Sequence, residues 1–378
     1  MKELTKRAVR RAAAVVSAVV CISLAAGHIS LEDLTNWSRT AALLSAGLMQ
    51  PEGGAEALSA RLDREPAAAG KGTQASTTTT AGKTGTTTAG TSATQPEAPQ
   101  DGPPALLPET VPPQGPKGGK VSEQQLTLGS NFVQGIALKN SSGKTFDIAK
   151  ELQILPEITI KNTPEPQVLL VHTHTTEAYM TYYAGYYNEG DGGRTRDESK
   201  NVCAVGEVIA EQLRAAGIGV IHDTTIHDDP KYTGAYTRSE ETVKKNLEKY
   251  PSIQVVLDLH RDGIMIDSTT RAKPTVTIDG RKAAQMMIIA SAASTEANPH
   301  PHWQDNFRFA LQLQKAMVDK YEGLMRPVSV VASRYNQHLS RGYLLVEVGS
   351  EANTLNEAVY SGYMLGKTLA ELLPKFKA

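Results

Sequence analysis

The stretch VLLVHTHTTE, residues 168–177, decides how this chain folds. Its first four residues are all apolar, which is typical of a strand that is buried on both faces. Apolar residues then recur at helical spacing over 202–213, the helical pattern ends at Gly217, and a second strand pattern covers 218–221. This succession of strand, helix and strand indicates a parallel βαβ unit.

The same alternation continues along the C-terminal part of the chain. Ser239 is predicted to cap a helix that runs to about Tyr250, VVLDL at 255–259 is another apolar strand, and a helix is predicted around 307–321. Other strands are predicted near 275–278, 286–290, 328–332 and 344–346. The last helix carries small residues four apart, namely Ala358, Gly362, Gly366 and Ala370. We therefore predict an α/β fold with a mostly parallel central sheet, helices on both faces and the last helix close against the sheet.

The charges of the chain nearly cancel, with 39 Lys and Arg against 40 Asp and Glu. This balance argues against a polybasic nucleic-acid binder, and a hydrophobic content of 40% argues against a multi-span membrane protein. Two cysteines are too few for a disulfide scaffold. The length of 378 residues, taken alone, suggests two or three domains.

Residues 1–27 combine a basic flank with an uncharged, mostly apolar run from Ala12 to Gly27. This pattern is typical of an export segment whose N-terminus stays inside the cell. The run of 16 residues suits either a long signal peptide or a short membrane anchor, and we favour the uncleaved anchor. The predicted location is the cell membrane, with a single N-terminal span and the rest of the chain on the outer side.

The anchor is predicted to be separated from one globular domain by two further segments. Residues 28–64 have room for one or two short helices. Residues 65–120 are rich first in Thr and then in Pro, and such a composition buries too little apolar surface to offset its ordering entropy. We therefore predict a disordered linker there, followed by a single folded domain over 121–378.

Histidine and glutamate side chains close three predicted strands: His172, His174 and Glu177 follow the first, and His260 and Glu347 end two others. The carboxyl ends of parallel strands are where sites collect, and catalytic zinc usually takes three imidazole or carboxylate ligands. We expect His172 and His174 to face the same side. A histidine or glutamate at the end of a single strand more often has a structural role. Together they favour zinc, with a nearby Glu taking a proton from the attacking water.

Other polar residues support weaker expectations. Arg261 and Asp262 either grip a substrate carboxylate or pair with each other. Arg194 and Arg196 are expected either to border the cleft on a mobile loop or to lie on a solvated loop, and we favour the solvated loop. Cys203 lies on a predicted helix with no histidine signature nearby in the sequence, which argues against a catalytic thiol.

Three stretches resemble one known family: VLLVHTHTTEAY at 168–179, LDLHRD at 257–262 and VEVGSEAN at 346–353. They resemble stage II sporulation protein P, a family similar to the zinc-dependent N-acetylmuramoyl-L-alanine amidases, over about Ser122 to Lys375. The resemblance implies a zinc hydrolase that cuts the amide between the muramic acid lactyl group and L-Ala, with endopeptidase activity on peptide cross-links. It also implies action on peptidoglycan during septal thinning and engulfment in endospore formation, with a lytic transglycosylase and a recruiting membrane protein as partners.

The resemblance implies roles for individual residues as well. The two zinc-ligating histidines and the catalytic glutamate of the amidases fall on His174, His260 and Glu347. The amidases take a further Glu ligand from the start of the helix after the first strand, and this chain departs from them there. We assign the acidic ligand to Glu177, with Glu198 as the alternative. His172 stands where the amidases have an Asp, and we interpret it as a residue behind the ligands or as a substitute ligand.

Two other functions fit the same residues. A zinc carboxypeptidase-like protease would use the His-x-x-Glu pair and release terminal amino acids. A cell-wall binding module without activity would keep the strand-end His and Glu for structural reasons.

Overall fold

The computed structural model describes residues 102–112, 114–126, 132–161, 163–189, 193–292 and 299–376. The chain divides into two compact units, 1–92 and 93–378, and every described residue belongs to the second. The predicted export segment, the segment over 28–64 and most of the predicted linker lie outside the described residues. Within the described ranges, no helix has both the length and the apolar character that a membrane span needs.

Eleven strands and five α-helices make up the described part of the chain. The strands are β1 (Lys117–Gln124), β2 (Leu138–Asn140), β3 (Val168–Val171), β4 (Tyr186–Asn188), β5 (Val220–His222), β6 (Val255–Asp262), β7 (Thr270–Ile278), β8 (Arg281–Ala284), β9 (Met286–Ser291), β10 (Val328–Val331) and β11 (Tyr343–Ser350). The helices are α1 (Ile148–Glu151), α2 (Val202–Ala215), α3 (Ala235–Lys249), α4 (Trp303–Lys320) and α5 (Leu355–Leu372). Short 3₁₀ turns cover Gln337–Leu339 and Leu373–Lys375.

Seven strands form the central sheet in the order β2-β10-β9-β11-β6-β3-β5. Neighbouring strands are parallel except for β9 and β11, which are antiparallel. Parallel neighbours need crossover connections: α2 lies between the neighbours β3 and β5 in the chain, and α2, β5 and α3 lie between the neighbours β3 and β6. The predicted α/β class with a mostly parallel sheet is therefore confirmed.

Helices cover both faces of this sheet. Val168 and Leu170 of β3 pack into the cluster that contains residues of α2, α4 and α5, whereas Leu169 and Val171 pack with Val243 of α3. Successive side chains of a strand point to opposite faces, so a strand with helices on both sides is apolar at every position. This double burial explains why the sequence patterns identified β3, β6 and β11.

The glycines of the predicted stripe on α5 contact α2. A methyl group on Gly362 would lie 2.8 Å from Val205 Cγ1, and one on Gly366 would lie 2.9 Å from Gln212 Cβ. The prediction that the stripe serves close packing against the sheet is therefore wrong for these two glycines. α2 and α5 share one face of the sheet, and their close approach leaves no room for side chains at these positions.

α3 begins earlier than predicted. Its first residue is Ala235, directly after Gly234, whose φ of +84° is the left-handed conformation that favours glycine. Ser239 lies inside the helix and is buried, with its hydroxyl 2.7 Å from the Thr173 hydroxyl. The prediction of a Ser239 cap was wrong because this hydroxyl serves a contact with the end of β3.

A second sheet, in the order β4-β1-β7-β8, was not predicted. The sequence of β1, KGGKVSEQ, is mostly polar and has one buried residue, Val121, so no hydrophobic period identifies it. β1 begins at Lys117, inside the predicted linker, and Leu107 upstream donates its backbone N–H to Asn356 Oδ1 at 2.7 Å. The last part of the predicted linker is thus bonded to the folded unit.

Candidate active site

The carboxyl ends of β3, β6 and β11 lie side by side, because these three parallel strands are consecutive in the sheet. β3 and β6 pair Val171 with Asp258, and β6 and β11 pair His260 with Glu347. His174 follows the end of β3 by three residues and reaches the same edge. The sheet thus brings together side chains that are far apart in the sequence.

Two imidazoles and a carboxylate meet at this edge. The ring centroids of His174 and His260 are 5.4 Å apart, and the ring planes are at 82°. Nδ1 of His260 lies 3.5 Å from Oε2 of Glu177. All three side chains are buried, with no more than 1% of any residue exposed. Two imidazoles and one carboxylate form a donor set found in catalytic zinc sites.

Neither ring nitrogen of His174 has a hydrogen-bond partner among the described residues. Asp228 Oδ2 lies 3.9 Å from Nδ1, which is beyond hydrogen-bond distance. Burial lowers the pKa of His174 well below its ordinary value, and the positive charges of His260, Arg194 and Arg261 lower it further. The ring is therefore neutral, which is the state in which histidine binds metal ions.

Asp258 holds His260 from behind. Oδ1 of Asp258 lies 3.0 Å from Nε2 of His260, and Thr173 donates its backbone N–H and its hydroxyl to the same carboxylate at 2.8 and 2.6 Å. Burial lowers the pKa of His260, but the carboxylates of Asp258 and Glu177 outweigh burial and raise it well above its ordinary value. A carboxylate behind a histidine fixes the orientation of the ring and strengthens it as a ligand.

A tight turn after His174 places Glu177 beside the histidines. In this turn, the backbone N–H of Glu177 donates to the carbonyl of His174 at 3.0 Å. The backbone N–H of Arg261 donates to Oε2 of Glu177 at 3.0 Å, and Nη2 of Arg194 lies 3.7 Å from Oε1. These donors hold the buried carboxylate in one orientation beside His260.

Glu347 is fully buried, and neither of its carboxyl oxygens has a hydrogen-bond partner among the described residues. Burial raises the pKa of Glu347 well above its ordinary value; the carboxylates of Asp262 and Glu177 raise it further, and His260 and Arg326 oppose them. A carboxyl group with a raised pKa holds a proton more readily than an ordinary carboxylate, as a proton carrier in general acid–base catalysis requires.

Asp228 completes the hydrogen bonding around the turn after β3, and it was not predicted. It accepts from the backbone N–H and the hydroxyl of Thr176, the latter at 2.7 Å, and pairs with Arg194 at 2.7 Å. Because Arg194 contacts both Asp228 and Glu177, the expectation that it lies on a solvated loop is wrong. The run of polar residues HDDP at 227–230 is a sequence signal that could have pointed to this aspartate.

Two tyrosines, also not predicted, cover the histidines. Tyr232 stacks on His174 with ring centroids 4.3 Å apart and planes at 3°. The ring of Tyr236 lies 5.6 Å from His174 and 6.4 Å from His260. The buried hydroxyl of Tyr236 has no hydrogen-bond partner within the described part of the chain. No strand end or helical period marks this segment, so the sequence patterns did not identify the cover.

The structure does not bring Glu198 to the histidines. Glu198 is exposed on the turn before α2, whereas Glu177 is buried beside His260. The alternative assignment of the acidic ligand to Glu198 is therefore not supported by its position. Arg196 lies at the surface as expected, where it pairs with Asp229.

His172 faces away from His174. Its Nδ1 lies 3.1 Å from the carbonyl oxygen of Leu259, and its Nε2 lies 2.9 Å from Nε2 of His222. The expectation that the two histidines share a side was wrong because β3 ends at Val171 and the chain turns before His174.

Arg261 and Asp262 do not pair through their side chains, because successive residues of β6 point to opposite faces. The buried guanidinium of Arg261 donates to the carbonyls of Ala178 at 3.1 Å and Gly193 at 3.0 Å. Asp262 accepts from Arg326 at 2.8 Å. Arg261 therefore supports the backbone that follows β3, and the predicted pairing is not formed.

The chain has low similarity to solved structures of N-acetylmuramoyl-L-alanine amidases. Ami1 from Mycobacterium smegmatis is 13% identical, covers 56% of this chain and 98% of its own, and has a TM-score of 0.31. AmiC2 of Nostoc punctiforme is 10% identical over 55% of this chain and 94% of its own, with a TM-score of 0.30. These values are too low to transfer a residue role to this chain.

Comparison by sequence is more decisive. Stage II sporulation protein P of Bacillus subtilis (strain 168) is 30% identical over 201 residues, which cover 50% of this chain and 47% of that protein. The chain thus matches about half the length of this relative. The family described as Stage II sporulation protein P (SpoIIP) matches over residues 86–370, which is well over half of the chain. The chain belongs to the stage II sporulation protein P family.

Proposed function

We propose that this chain is a zinc-dependent peptidoglycan hydrolase that cleaves the amide between N-acetylmuramic acid and L-alanine. Its family and the resemblance of its motifs to the amidases support the choice of substrate. The observation that carries the proposal is the buried cluster of His174, Glu177 and His260, with Glu347 beside it, at the ends of adjacent parallel strands. This cluster offers three ligands and a separate carboxyl group for proton transfer, as metal-assisted hydrolysis requires.

His174, Glu177 and His260 would hold the zinc. The unpartnered ring nitrogens of His174 and the closeness of His260 Nδ1 to Glu177 Oε2 both suit a cation that accepts lone pairs. Two imidazoles with one carboxylate favour zinc over calcium or magnesium, which prefer oxygen ligands. When bound, zinc supplies Lewis-acid chemistry that polarises a carbonyl group and makes water more acidic.

Glu347 moves the proton in this proposal. Its carboxylate accepts a proton from water as the water oxygen bonds to the amide carbonyl carbon. The same carboxyl group then gives this proton to the L-alanine nitrogen as the C–N bond breaks. The raised pKa of Glu347 allows it to hold the proton between these two events.

The biological setting is part of the same proposal. Family membership and the motif resemblance support a role in septal thinning and engulfment, endopeptidase activity on cross-links, and partnership with a lytic transglycosylase and a recruiting membrane protein. The basic and apolar start of the chain, residues 1–27, supports attachment to the cell membrane with the hydrolase on the outer side.

The test is the hydrolysis of purified peptidoglycan by the full chain and by its Glu347→Gln variant. The natural chain is expected to release stem peptides with a free L-alanine amino group. Glu347→Gln should keep its zinc and slow this release by about 10²- to 10⁴-fold, because the proton carrier is lost. Glu198→Gln makes the same change at an exposed glutamate and should leave the rate unchanged. Undiminished release by Glu347→Gln would remove Glu347 from the mechanism.

Analysis of the products separates the other two functions. Release of single terminal amino acids would indicate a carboxypeptidase-like protease. Binding to peptidoglycan without any product, together with the absence of zinc from the purified chain, would indicate a wall-binding module. Mass spectrometry of the products and metal analysis of the protein distinguish these outcomes.

A further inference from the structure

A second cluster of metal-binding side chains lies on the other face of β3. His172 follows β3, Cys203 is in the first turn of α2, and His222 ends β5. One ligand atom from each residue lies within 4.8 Å of the others, and the two histidine Nε2 atoms are 2.9 Å apart. His172 and Cys203 are buried, and 5% of the His222 side chain is exposed.

The hydrogen bonds of the Nδ1 atoms of His172 and His222 indicate which ring nitrogens carry hydrogen. Nδ1 of His172 lies 3.1 Å from the carbonyl oxygen of Leu259, which can only accept, so this nitrogen carries hydrogen. Nδ1 of His222 lies 2.8 Å from Oε2 of Glu207, and the pKa of that carboxyl is lowered to about 2, first of all by this hydrogen bond. Both Nδ1 atoms are therefore placed to donate, which leaves the two Nε2 atoms facing each other as candidate ligand atoms. At 2.9 Å from each other, these two atoms are placed so that one metal ion would contact both.

Gly206 of α2 leaves space at this contact. A methyl group at Gly206 would lie 2.5 Å from Nε2 of His222 and 3.0 Å from Nε2 of His172. Glycine inside a helix costs about 1 kcal/mol relative to alanine, so its presence here calls for a local reason. The reason is that the two imidazoles occupy the position of the missing side chain.

The sulfur of Cys203 indicates which cation the second cluster would bind. Burial raises the pKa of the Cys203 thiol to about 12, so the thiol is neutral in the absence of a metal. Histidine nitrogen and cysteine sulfur are both ligands that zinc takes in proteins, whereas a proton shared between the imidazoles would not involve the sulfur. We propose that His172, Cys203 and His222 bind a zinc ion at a second site that joins β3, α2 and β5.

The Cys203 thiol gives its proton to solvent as the sulfur bonds to zinc, and each Nε2 atom donates its lone pair while its Nδ1 keeps its hydrogen. Zinc bound at about 2.0–2.1 Å to two nitrogens holds those nitrogens about 3.3 Å apart, so the rings need to separate by a few tenths of an ångström. Glu207 positions His222 as Asp258 positions His260.

The test is a titration of the full metal-free chain with Co²⁺. The natural chain should bind two equivalents and show the near-ultraviolet absorption of a thiolate-to-cobalt charge transfer. Cys203→Ser should lose this absorption and one equivalent, whereas Cys21→Ser, which changes the other cysteine of the chain, should lose neither. His174→Ala should lose one equivalent and keep the absorption, which separates this site from the proposed catalytic one.

The proposal is overturned if the folded natural chain binds cobalt without the charge-transfer absorption, or if Cys203→Ser keeps it. X-ray absorption at the zinc edge of the natural chain needs no variant, and it should show zinc–sulfur scattering at about 2.3 Å. Scattering from nitrogen and oxygen alone would contradict the second site even if Cys203→Ser failed to fold.

Discussion

The two faces of the sheet at the end of β3 hold two histidine clusters of different design. On the α3 face, His174 and His260 meet carboxylates and tyrosines, and the buried carboxyl oxygens of Glu347 have no hydrogen-bond partner among the described residues. On the α2 face, His172 and His222 meet a thiol, and their outer nitrogens are hydrogen-bonded. In the first cluster, the Glu347 carboxyl group is additional to the three candidate ligands and is available for proton transfer. The second cluster contains only candidate ligands and the groups that orient them.

The largest difference is expected between alanine variants of His174 and His172, which are two positions apart in the sequence. His174→Ala should remove one metal equivalent and slow peptidoglycan hydrolysis by about 10²- to 10⁴-fold, because several kcal/mol of metal-assisted stabilisation is lost. His172→Ala should remove the other equivalent and change the hydrolysis rate less than tenfold. Metal analysis and product release measure both effects, and an equal loss of hydrolysis in the two variants would refute the division into two sites.

The next contrast concerns the carboxylate behind each cluster. Asp258→Asn should weaken zinc binding at the candidate active site by about 10- to 100-fold, and Glu207→Gln should do the same at the second site, since each carboxylate orients a ligand. Competition with a chelator measures the two affinities. Asp267→Asn changes an exposed aspartate and serves as the control. Weakening of both sites by a single substitution would mean that the clusters are not independent.

A smaller effect is expected from Gly206→Ala. The added methyl group collides with both imidazoles of the second cluster and should destabilise the domain by about 1–3 kcal/mol. Denaturant unfolding measures this loss, and cobalt titration should show one equivalent with no charge-transfer absorption. Gly102→Ala is the matched control, because a methyl group there would meet no atom within 4 Å. Full retention of both metal equivalents would contradict the role of Gly206.

The smallest difference is expected in stability, between variants of Arg194 and Arg196. Arg194→Gln should destabilise the domain by about 1–3 kcal/mol, because it leaves the buried carboxylate of Asp228 with fewer charged partners. Arg196→Gln should have no measurable effect, since Arg196 pairs with Asp229 at the surface. Thermal unfolding of both variants tests this prediction. Equal losses of stability would show that the two ion pairs contribute equally despite their different burial.

The predictable part of the fold consists of strands that are buried on both faces. β3 is a continuous apolar run, whereas the apolar runs of β6 and β11 are interrupted by Asp258 and Glu347. β6 and β11 extend past their predicted ends, to Asp262 and Ser350, so His260 and Glu347 lie inside these strands near their carboxyl ends. β1 could not be predicted, because it is mostly polar and owes its place to pairing with β4 and β7. The start of α3 could not be predicted either, since Ser239 lies inside the helix and contacts Thr173 of the turn after β3.

The candidate site was predictable to the extent that its residues end such strands. His174, Glu177, His260 and Glu347 were named from the sequence, and the structure brings them together. Asp228 and Tyr232 were missed, since they lie on a segment between β5 and α3 without a hydrophobic period. The contact of His172 with Cys203 and His222 has no sequence signature, because these residues come from three separate elements.

The sequence by itself determined the class of fold and the edge of the sheet where chemistry is concentrated, because alternating apolar strands and helices define a parallel sheet. Its motifs also indicated the family. Only the tertiary structure decided which way each histidine faces. The turn after Val171 sends His174 toward His260 and leaves His172 against α2, and this divergence depends on hydrogen bonds between distant segments that no local pattern encodes.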